Sequence, residues 1–390
     1  MYPFTVPDYR GKSIVNLMSS VAKSFGATHS YKESAFLSST EISKYRNVIL
    51  LVVDGLGYNY LIKQKDSFLN THCKGRMTST FLPTTACANT TFIFGYPPQQ
   101  HGLTGWYVNL KEVGSIVSPL PFVPRHGGCY LGDQGFTMDK IMSVPPFHID
   151  FNAQCYFILD KYISTGAFTD YASQGMSVVP SASYKNMFTQ IRRIMAQKSR
   201  KRVFIHAYMY EHDSLAHQTG SKSEEVRLLF QDIDKRIKSL ARTLKDTNTL
   251  LIVTADHGFM DTVPERRLFV DDIPGLYECL TIPMAGEGRT RDCFIRPHKV
   301  DDFKRIYKKY LQKYCWCFEG TELIKNGLYG LGKPSSKLLD RVGDFVLVMK
   351  DNYTLRNRLA NHDPQKKFKY GVHGGVSDDE MYVPLVVIKP

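Results

Sequence analysis

The amino-acid sequence predicts an α/β domain in which helices cover both faces of a doubly wound, mostly parallel sheet. Short runs of β-branched and aromatic residues predict strands that are apolar on both faces, as a covered sheet requires. The predicted strands span 47–54, 202–209, 249–256, 343–349 and 383–388. The segments 13–25, 184–197 and 222–245 carry apolar residues at spacings of three and four, the pattern of amphipathic helices. Strands that alternate with helices favour parallel pairing.

The length of the chain suits one large domain with insertions or two modest domains, since it has 390 residues, of which 43% are hydrophobic. Two stretches interrupt the alternation of strands and helices. Residues 106–182 are rich in Pro, Gly and Ser, and residues 261–370 combine irregular strands with a helical segment near 300–313. We predict a catalytic core over 1–260 and 371–390. The segment 261–370 is predicted to be a cap insertion mixed with core elements, including the strand 343–349.

Composition and charge restrict the classes of partner. The net charge of +13 favours anionic partners such as phosphate esters or nucleotides, but the charge is spread along the chain, so nucleic-acid binding is not indicated. The amino terminus lacks the pattern of a signal peptide, and no apolar run is long enough to span a membrane. The eight cysteines form no CxxC pair, which is typical of reduced thiols. We therefore expect a soluble, cytoplasmic protein.

Acidic and histidine side chains follow three of the predicted strands. Asp54 ends the strand 47–54, Asp256 and His257 end the strand 249–256, and Asp213 and His217 follow the strand 202–209 four positions apart. Taken singly, each is explained by an ordinary turn or a helix cap. Because ligands collect at the carboxyl ends of parallel strands, the set as a whole indicates a metal site at one edge of the sheet.

The segment 81–106 supplies a candidate nucleophile. Thr84 and Thr85 follow Pro83, and the apolar residues after them predict a helix that ends near Gly95. A hydroxyl at the start of a helix lies beside unpaired backbone NH groups, which suits attack on phosphorus because the same groups bind phosphate oxygens. The alternative is a threonine that only caps the helix.

Five motifs together resemble the alkaline phosphatase superfamily, and within it the type I phosphodiesterase and nucleotide pyrophosphatase branch. The motifs occur in the family's order from residue 47 to residue 388. They are VVDGLG at 52–57, PTTACANTTFIFGYPPQQHGLTGW at 83–106, DSLAH at 213–217, TADHG at 254–258 and GVHGG at 371–375. The resemblance implies an alkaline phosphatase-like fold and the hydrolysis of phosphodiester or pyrophosphate bonds in an anionic substrate, such as a nucleotide.

The resemblance also implies a metal centre with two Zn²⁺ ions, for which Mn²⁺ is a possible replacement. One site would use Asp213, His217 and His373, and the other Asp54, Asp256 and His257. In this branch the reactive threonine lies ten positions before the Gly that closes its helix and sixteen before the His of the HG pair, which corresponds to Thr85 here. Thr85 would also contact the second metal and would form a phosphothreonine intermediate.

Two positions depart from the animal members of the branch, which have a Phe that stacks on the base and an Asn that contacts phosphate. This chain has Ala86 and Trp106 there, so a preference for nucleotides is not implied. Asp54, Asp213, Asp256 and a deprotonated Thr85 would carry four negative charges, which balance the charges of two divalent cations. A neutral site favours diesters, with one negative charge, over monoester dianions. A phosphomonoesterase, a phosphonate hydrolase and a phosphomutase of the same superfamily remain alternatives, as does a non-catalytic anion-binding protein.

Overall fold

The centre of the protein is a seven-stranded sheet in the computed structural model, which describes residues 2–197, 199–358 and 368–390. From one edge to the other, its strands are Cys73–Thr78, Tyr382–Ile388, Thr249–Thr254, Asn47–Val53, Arg202–Met209, Ala153–Asp160 and Ser177–Ser181. The five strands from Thr249–Thr254 to the far edge pair in parallel, and Tyr382–Ile388 runs antiparallel to both its neighbours. The predicted fold, a doubly wound and mostly parallel sheet, is confirmed.

Helices cover the central sheet, and every residue of its middle strand Asn47–Val53 is buried. The α-helices of the described residues are Ile14–Ser24, Ser39–Ser43, Tyr58–Leu61, Phe68–Thr71, Thr85–Phe94, Pro98–His101, Met138–Ile141, Ala167–Ala172, Tyr184–Met195, Glu211–Thr219, Glu224–Thr243, Leu276–Cys279, Val300–Ile306, Gly320–Lys325, Leu338–Arg341 and Asp378–Met381. The three predicted long helices are among them. In the described part of the chain, no helix has both the length and the apolar character of a membrane span.

Three central strands lie where the sequence predicted none. Cys73–Thr78 and Ser177–Ser181 are edge strands, with polar residues in the first and Pro180 in the second, so neither has the apolar pattern of a buried strand. Ala153–Asp160 lies inside the segment 106–182, whose Pro and Gly content obscured it. The same segment also forms a small sheet of Val108–Leu110, Ser115–Ser118 and Val123–Pro124.

The described residues of 261–370 form a four-stranded sheet of their own. Its strands, in order, are Ala285–Gly286, Thr290–Cys293, Phe345–Met349 and Cys315–Glu319. Phe345–Met349 is the strand that was predicted over 343–349, and it pairs here and not in the central sheet. Two further pairs of short strands form. Met260–Asp261 pairs with Gly371–Val372, and Arg267–Phe269 pairs with Thr354–Arg356. A separate apolar cluster packs inside this part of the chain. A capping role for it stays a prediction, and 359–367 lies outside the described residues.

The register of the central sheet aligns the strand ends that matter for the site. Val53 is level with Met209 on one neighbouring strand, and Val52 is level with Thr254 on the other. Because the three strands are parallel, the residues that follow them emerge at the same edge of the sheet. The ends of these three strands therefore bring together the acidic and histidine side chains that the sequence analysis identified as candidate metal ligands.

Candidate metal centre

The first group of the candidate centre comprises Asp54, Asp256 and His257. One ligand atom from each of them lies within 4.8 Å of the others. Nε2 of His257 lies 3.2 Å from Oδ1 of Asp54 and 3.5 Å from Oδ2 of Asp256, and all three side chains are buried. Two strand ends from distant parts of the sequence thus supply two carboxylates and one imidazole to a single point.

The second group comprises Asp213, His217 and His373. Asp213 and His217 are one turn apart on the helix Glu211–Thr219, with Oδ1 of Asp213 3.5 Å from Nε2 of His217. Nε2 of His373 lies 3.8 Å from the same carboxylate oxygen. The helical spacing of four residues explains how one short motif presents both side chains in the same direction.

The two groups are adjacent, and His257 lies between them. Its ring stacks on that of His373, with 3.7 Å between the ring centroids and an interplanar angle of 15°. Ligand atoms of Asp213, His257 and His373 also lie within 4.8 Å of one another. The structure therefore brings together all six side chains that the resemblance implied as ligands, although His257 is close to both groups.

Backbone contacts orient several of these side chains. Nδ1 of His217 lies 2.7 Å from the carbonyl oxygen of Gly371, and Nδ1 of His257 lies 3.1 Å from that of Gly258. In both imidazoles this contact leaves Nε2 facing the carboxylates, the arrangement of metal-binding histidines. Oδ1 of Asp256 accepts hydrogen bonds from the backbone NH of Gly55 and of His257 itself, each 3.0 Å long.

The electrostatics of the centre are those of a site with an excess of buried negative charge. Burial and the carboxylates of Asp256 and Asp213 raise the pKa of Asp54 well above its ordinary value. Burial by itself lowers the pKa of His257, but the surrounding carboxylates outweigh it and raise the pKa to about 10. Burial and the neighbouring His257 and His217 lower the pKa of His373 well below its ordinary value.

These observations fit divalent cations. Three carboxylates close together in a buried site are costly unless positive charge compensates them. Oδ1 of Asp213 is buried and accepts no hydrogen bond from any described residue. Carboxylate oxygens and imidazole nitrogens are common ligands of Zn²⁺ and of related transition metals. The donor set is therefore chemically suited to a pair of metal ions.

Thr85 is the first residue of the helix Thr85–Phe94, and its hydroxyl faces the centre. Its Oγ1 lies 3.5 Å from Oδ2 of Asp54 and 3.4 Å from Nε2 of His257. The preceding Thr84 is the N-cap residue, and its hydroxyl instead donates a hydrogen bond to Glu287. The structure thus gives the two adjacent threonines different surroundings.

Glu287 is a site residue that the sequence analysis missed. Its carboxylate accepts hydrogen bonds from the Thr84 hydroxyl and from the backbone NH of Trp106, the latter 3.2 Å long. Its Oε2 lies 3.7 Å from Nδ1 of His373. Burial raises the pKa of Glu287, although the hydrogen bond from Thr84 acts in the opposite direction. Glu287 belongs to no predicted strand end and to none of the five motifs, so no sequence signal distinguished it.

The two positions that depart from the animal members lie close to this centre. Ala86 is fully buried in the helix that begins at Thr85. Trp106 is partly buried and contacts Glu287 through its backbone, as described above. No aromatic side chain at position 86 is thus available to stack on a base.

Comparison with known proteins agrees with this geometry. Residues 48–375 match the family model of type I phosphodiesterase / nucleotide pyrophosphatase. Murine ectonucleotide pyrophosphatase/phosphodiesterase 5 is 17% identical, with a TM-score of 0.66 and coverage of 88% of each chain. Phosphonoacetate hydrolase from Sinorhizobium meliloti is 16% identical, with a TM-score of 0.63 and coverage of 88% of this chain and 90% of its own. No curated protein sequence gives a significant match.

At such identities, the structural likeness is evidence for the fold alone. Together with the family match, it assigns the protein to the alkaline phosphatase superfamily, a metal-dependent class that includes hydrolases of phosphoesters. Since the family model covers most of the sequence, the chain belongs to the type I phosphodiesterase/nucleotide pyrophosphatase family.

Proposed function

We propose that this protein hydrolyses phosphodiester or pyrophosphate bonds, with Thr85 as the nucleophile beside a centre of two metal ions. The observation that carries the proposal is the position of the Thr85 hydroxyl, 3.4 Å from His257 and 3.5 Å from Asp54 at the start of a helix. A lone helix cap has no need of carboxylates and imidazoles around its hydroxyl. The family match supports the same chemistry.

The proposed metals are two Zn²⁺ ions, for which Mn²⁺ is a possible replacement. Asp54, Asp256 and His257 would hold one, with Thr85 beside it, and Asp213, His217 and His373 would hold the other. When bound, such ions stabilise negative charge on phosphoryl oxygens and lower the pKa of a hydroxyl. The three carboxylates and a deprotonated Thr85 oxygen would balance the four positive charges of the two ions, and a neutral site suits the single negative charge of a diester.

The role of Thr85 follows from its position. Its Oγ1 would form a bond to phosphorus as the bond to the leaving-group oxygen breaks, which gives a phosphothreonine. The first backbone NH groups of its helix have no intrahelical acceptor and would bind a phosphoryl oxygen. Water would then attack the same phosphorus and break its bond to Oγ1, which restores the Thr85 hydroxyl and releases a phosphate monoester that keeps the remaining ester group.

A second candidate function is the hydrolysis of phosphonates or phosphomonoesters. It is favoured by the likeness in fold to phosphonoacetate hydrolase, which was solved in complex with phosphonoacetate. The first candidate is favoured by the likeness to ectonucleotide pyrophosphatase/phosphodiesterase 5, whose inactive murine form was solved in complex with AMP. A phosphomutase is a weaker alternative. The mutases that resemble this superfamily use Ser as the nucleophile, and this chain has Thr85 at that position.

The ratio of activity on bis(p-nitrophenyl) phosphate to activity on p-nitrophenyl phosphate separates the candidates. We expect a ratio above one for a diesterase. A ratio well below one would assign the protein to the monoesterases. An absence of turnover on both compounds, together with an absence of bound metal in the purified protein, would favour a non-catalytic anion-binding protein.

The segment 261–370 is proposed to cap the centre. The position of Glu287 supports this role, because it brings a carboxylate from this segment to Thr84 and to within 3.7 Å of His373. A capping segment that contacts the nucleophile's helix would shape the space for the leaving group. A series of substrates with leaving groups of increasing size tests this role, since a cap makes the rate depend on size.

A cytoplasmic location is also part of the proposal. All eight cysteines are free thiols, and five of them are buried. Buried, unpaired thiols are typical of proteins in a reducing compartment. Fractionation of the source cells is the direct test, and recovery from the medium would contradict this location.

A further inference from the structure

Three arginines gather beside the turn that carries Glu287, and among the described residues none of them forms a salt bridge. They are Arg125, Arg291 and Arg356. Other buried arginines of the chain are paired with carboxylates. Arg289 lies 2.9 Å from Glu380, and Arg341 lies 2.9 Å from Glu112. Among the buried arginines of the described residues, Arg291 alone has no carboxylate partner.

Arg291 forms the buried base of this group, which we call the arginine cluster. It lies on the strand Thr290–Cys293, and its Nε donates a hydrogen bond of 2.7 Å to the carbonyl oxygen of Leu355. A second, longer contact of 3.5 Å joins its Nη1 to the carbonyl oxygen of Ala285. These carbonyls accept hydrogen bonds from two of the five guanidinium donors but do not neutralise the charge of Arg291.

Arg125 and Arg356 are partly exposed members of the arginine cluster. The guanidinium of Arg125 lies 4.2 Å above the ring of Tyr107, and its Nη1 donates to the carbonyl oxygen of Met284. Its Nε is buried and has no acceptor among the described residues. Arg356 ends the strand Thr354–Arg356, and its Nε lies 3.8 Å from the position that a Cβ would take on Gly288.

The charges of the cluster act on one another. Burial lowers the pKa of Arg291, and the neighbouring Arg125 and Arg356 lower it further. Burial also lowers the pKa of Arg125 and of Arg356. Guanidinium groups stay protonated near neutral pH, so the cluster keeps a concentrated positive charge. An anion bound among them would reduce this repulsion.

The arginine cluster adjoins the candidate metal centre through residues 106–107 and 286–288. The backbone NH of Trp106 donates to Glu287, which in turn contacts Thr84 and His373. The carbonyl oxygen of the next residue, Tyr107, accepts a hydrogen bond of 2.7 Å from the NH of Gly286. The turn 286–288 thus contacts the metal centre through Glu287 and the arginine cluster through Gly286, which pairs with Arg291, and Gly288, which lies beside Arg356.

We infer that Arg125, Arg291 and Arg356 form a subsite for a second phosphate group of the substrate, next to the phosphoryl group that Thr85 is proposed to attack. This inference rests on the proposed function for the identity of the substrate, but not for the existence of the anion site. Guanidinium groups bind phosphate oxygens with paired hydrogen bonds, which an isolated ammonium group cannot match. The chain would then prefer substrates that carry a further phosphate over simple diesters.

Binding of inorganic pyrophosphate to the full-length, chelator-treated protein tests the subsite without metals or turnover. In calorimetry at low ionic strength, we expect Arg356→Gln and Arg125→Gln each to weaken binding about tenfold, the loss of roughly one charged hydrogen bond. Arg193→Gln is the matched control, because Arg193 is exposed on the helix Tyr184–Met195 and carries the same charge. Its affinity should equal that of the unaltered chain.

Equal weakening in Arg193→Gln, or no weakening in either cluster variant, would overturn the subsite, as would a failure of the unaltered protein to bind pyrophosphate. Circular dichroism and melting temperature establish that the variants are folded. Arg291→Gln is not used, because its buried position makes loss of the fold a competing explanation.

Kinetics separate a failure of the subsite from a failure of the proposed function. In the metal-loaded protein, we expect Arg356→Gln to lower the ratio of kcat/KM for ATP to kcat/KM for bis(p-nitrophenyl) phosphate about tenfold. An unchanged ratio would overturn the subsite and leave the diesterase proposal intact. If the unaltered protein turned over neither compound, the proposed function would fail, and the pyrophosphate titration would decide the anion site alone.

Discussion

The Oγ1 atom of Thr85 lies 3.4 Å from Nε2 of His257, although 172 residues separate them in the sequence. The helix that begins at Thr85 holds one of these atoms, and the loop after the strand Thr249–Thr254 holds the other. The parallel sheet makes this contact possible, because it delivers chain segments of different origin to one edge. The predictions below follow from this contact and from the groups around it.

Replacement of Thr85 by Ala should abolish turnover, since it removes the oxygen that is proposed to attack phosphorus. We expect a loss of about 10³-fold or more, as for other catalytic nucleophiles. Metal content and melting temperature should be unchanged, since the variant removes no carboxylate or imidazole. The measurement is the initial rate on bis(p-nitrophenyl) phosphate with zinc present.

Thr84→Ala is the matched control for the nucleophile, because it removes a hydroxyl one residue away that faces Glu287 instead. Its loss of activity should be much smaller than that of Thr85→Ala. If Thr84→Ala were the inactive variant and Thr85→Ala retained its rate, the nucleophile would be Thr84.

Removal of metal should inactivate the protein reversibly. Dialysis against a chelator should abolish activity, and zinc should restore it. In Asp256→Asn the buried carboxylate is lost while the size of the side chain is kept, so we expect weak metal binding and no recovery at the same zinc concentration. Full activity in the chelated protein, with metal absent by elemental analysis, would contradict a metal-dependent reaction.

Glu287 is predicted to position His373 and Thr84 and not to react itself. Glu287→Gln keeps the size of the side chain but removes its charge, so zinc affinity should fall about 10- to 100-fold, as for other outer-shell partners of metal ligands. Competition with a chromogenic chelator measures this affinity directly. Activity at saturating zinc should recover in large part. An unchanged zinc affinity would mean that Glu287 only packs against its neighbours and does not position the metal ligand His373.

The buried pair of Arg289 and Glu380 should stabilise the fold. Nη2 of Arg289 lies 2.9 Å from Oε2 of Glu380, and their side chains are 1% and 0% exposed. Glu380→Gln leaves the arginine buried without its counter-charge, which costs about 3–5 kcal/mol in the free energy of unfolding. Urea denaturation measures the change. Glu224→Gln, in an exposed pair with Arg227, is the control and should have no measurable effect.

The same pair predicts a pH dependence of stability. Burial raises the pKa of Glu380, but Arg289 and the hydrogen bonds from Ser377 and Gly375 outweigh it, so the pKa is lower than its ordinary value of 4.5. A carboxylate with a lowered pKa in the folded state stabilises that state above pH 4.5 and loses this contribution as the pH falls through the lowered value. Glu380→Gln should therefore have a lower free energy of unfolding than the unaltered chain at pH 7. On acidification, the free energy of unfolding of the variant should fall by less than that of the unaltered chain.

The sequence was most informative where one local pattern determines the structure. The strands Asn47–Val53 and Thr249–Thr254 are short, continuous apolar runs, and the site positions Asp54 and Asp256 lie just after them. By contrast, Ser177–Ser181 is an edge strand, and edge strands need little apolar pattern.

Contacts between distant segments were beyond the sequence. Glu287 reaches the site only because the turn around it packs against Trp106. No local sequence pattern at either residue predicts this contact. The arginine cluster has the same origin, since Arg125 comes from the segment 106–182 and Arg291 and Arg356 come from the segment 261–370. Side chains that meet through tertiary packing carry no periodicity or motif from which their meeting is predicted.

Anomalous scattering at the zinc edge, from crystals of the zinc-loaded protein, is the most direct test of the central claim. The account predicts two peaks, one among Asp54, Asp256 and His257 beside Thr85, and one among Asp213, His217 and His373. No peak at this edge of the sheet, or zinc bound only elsewhere in the protein, would contradict it.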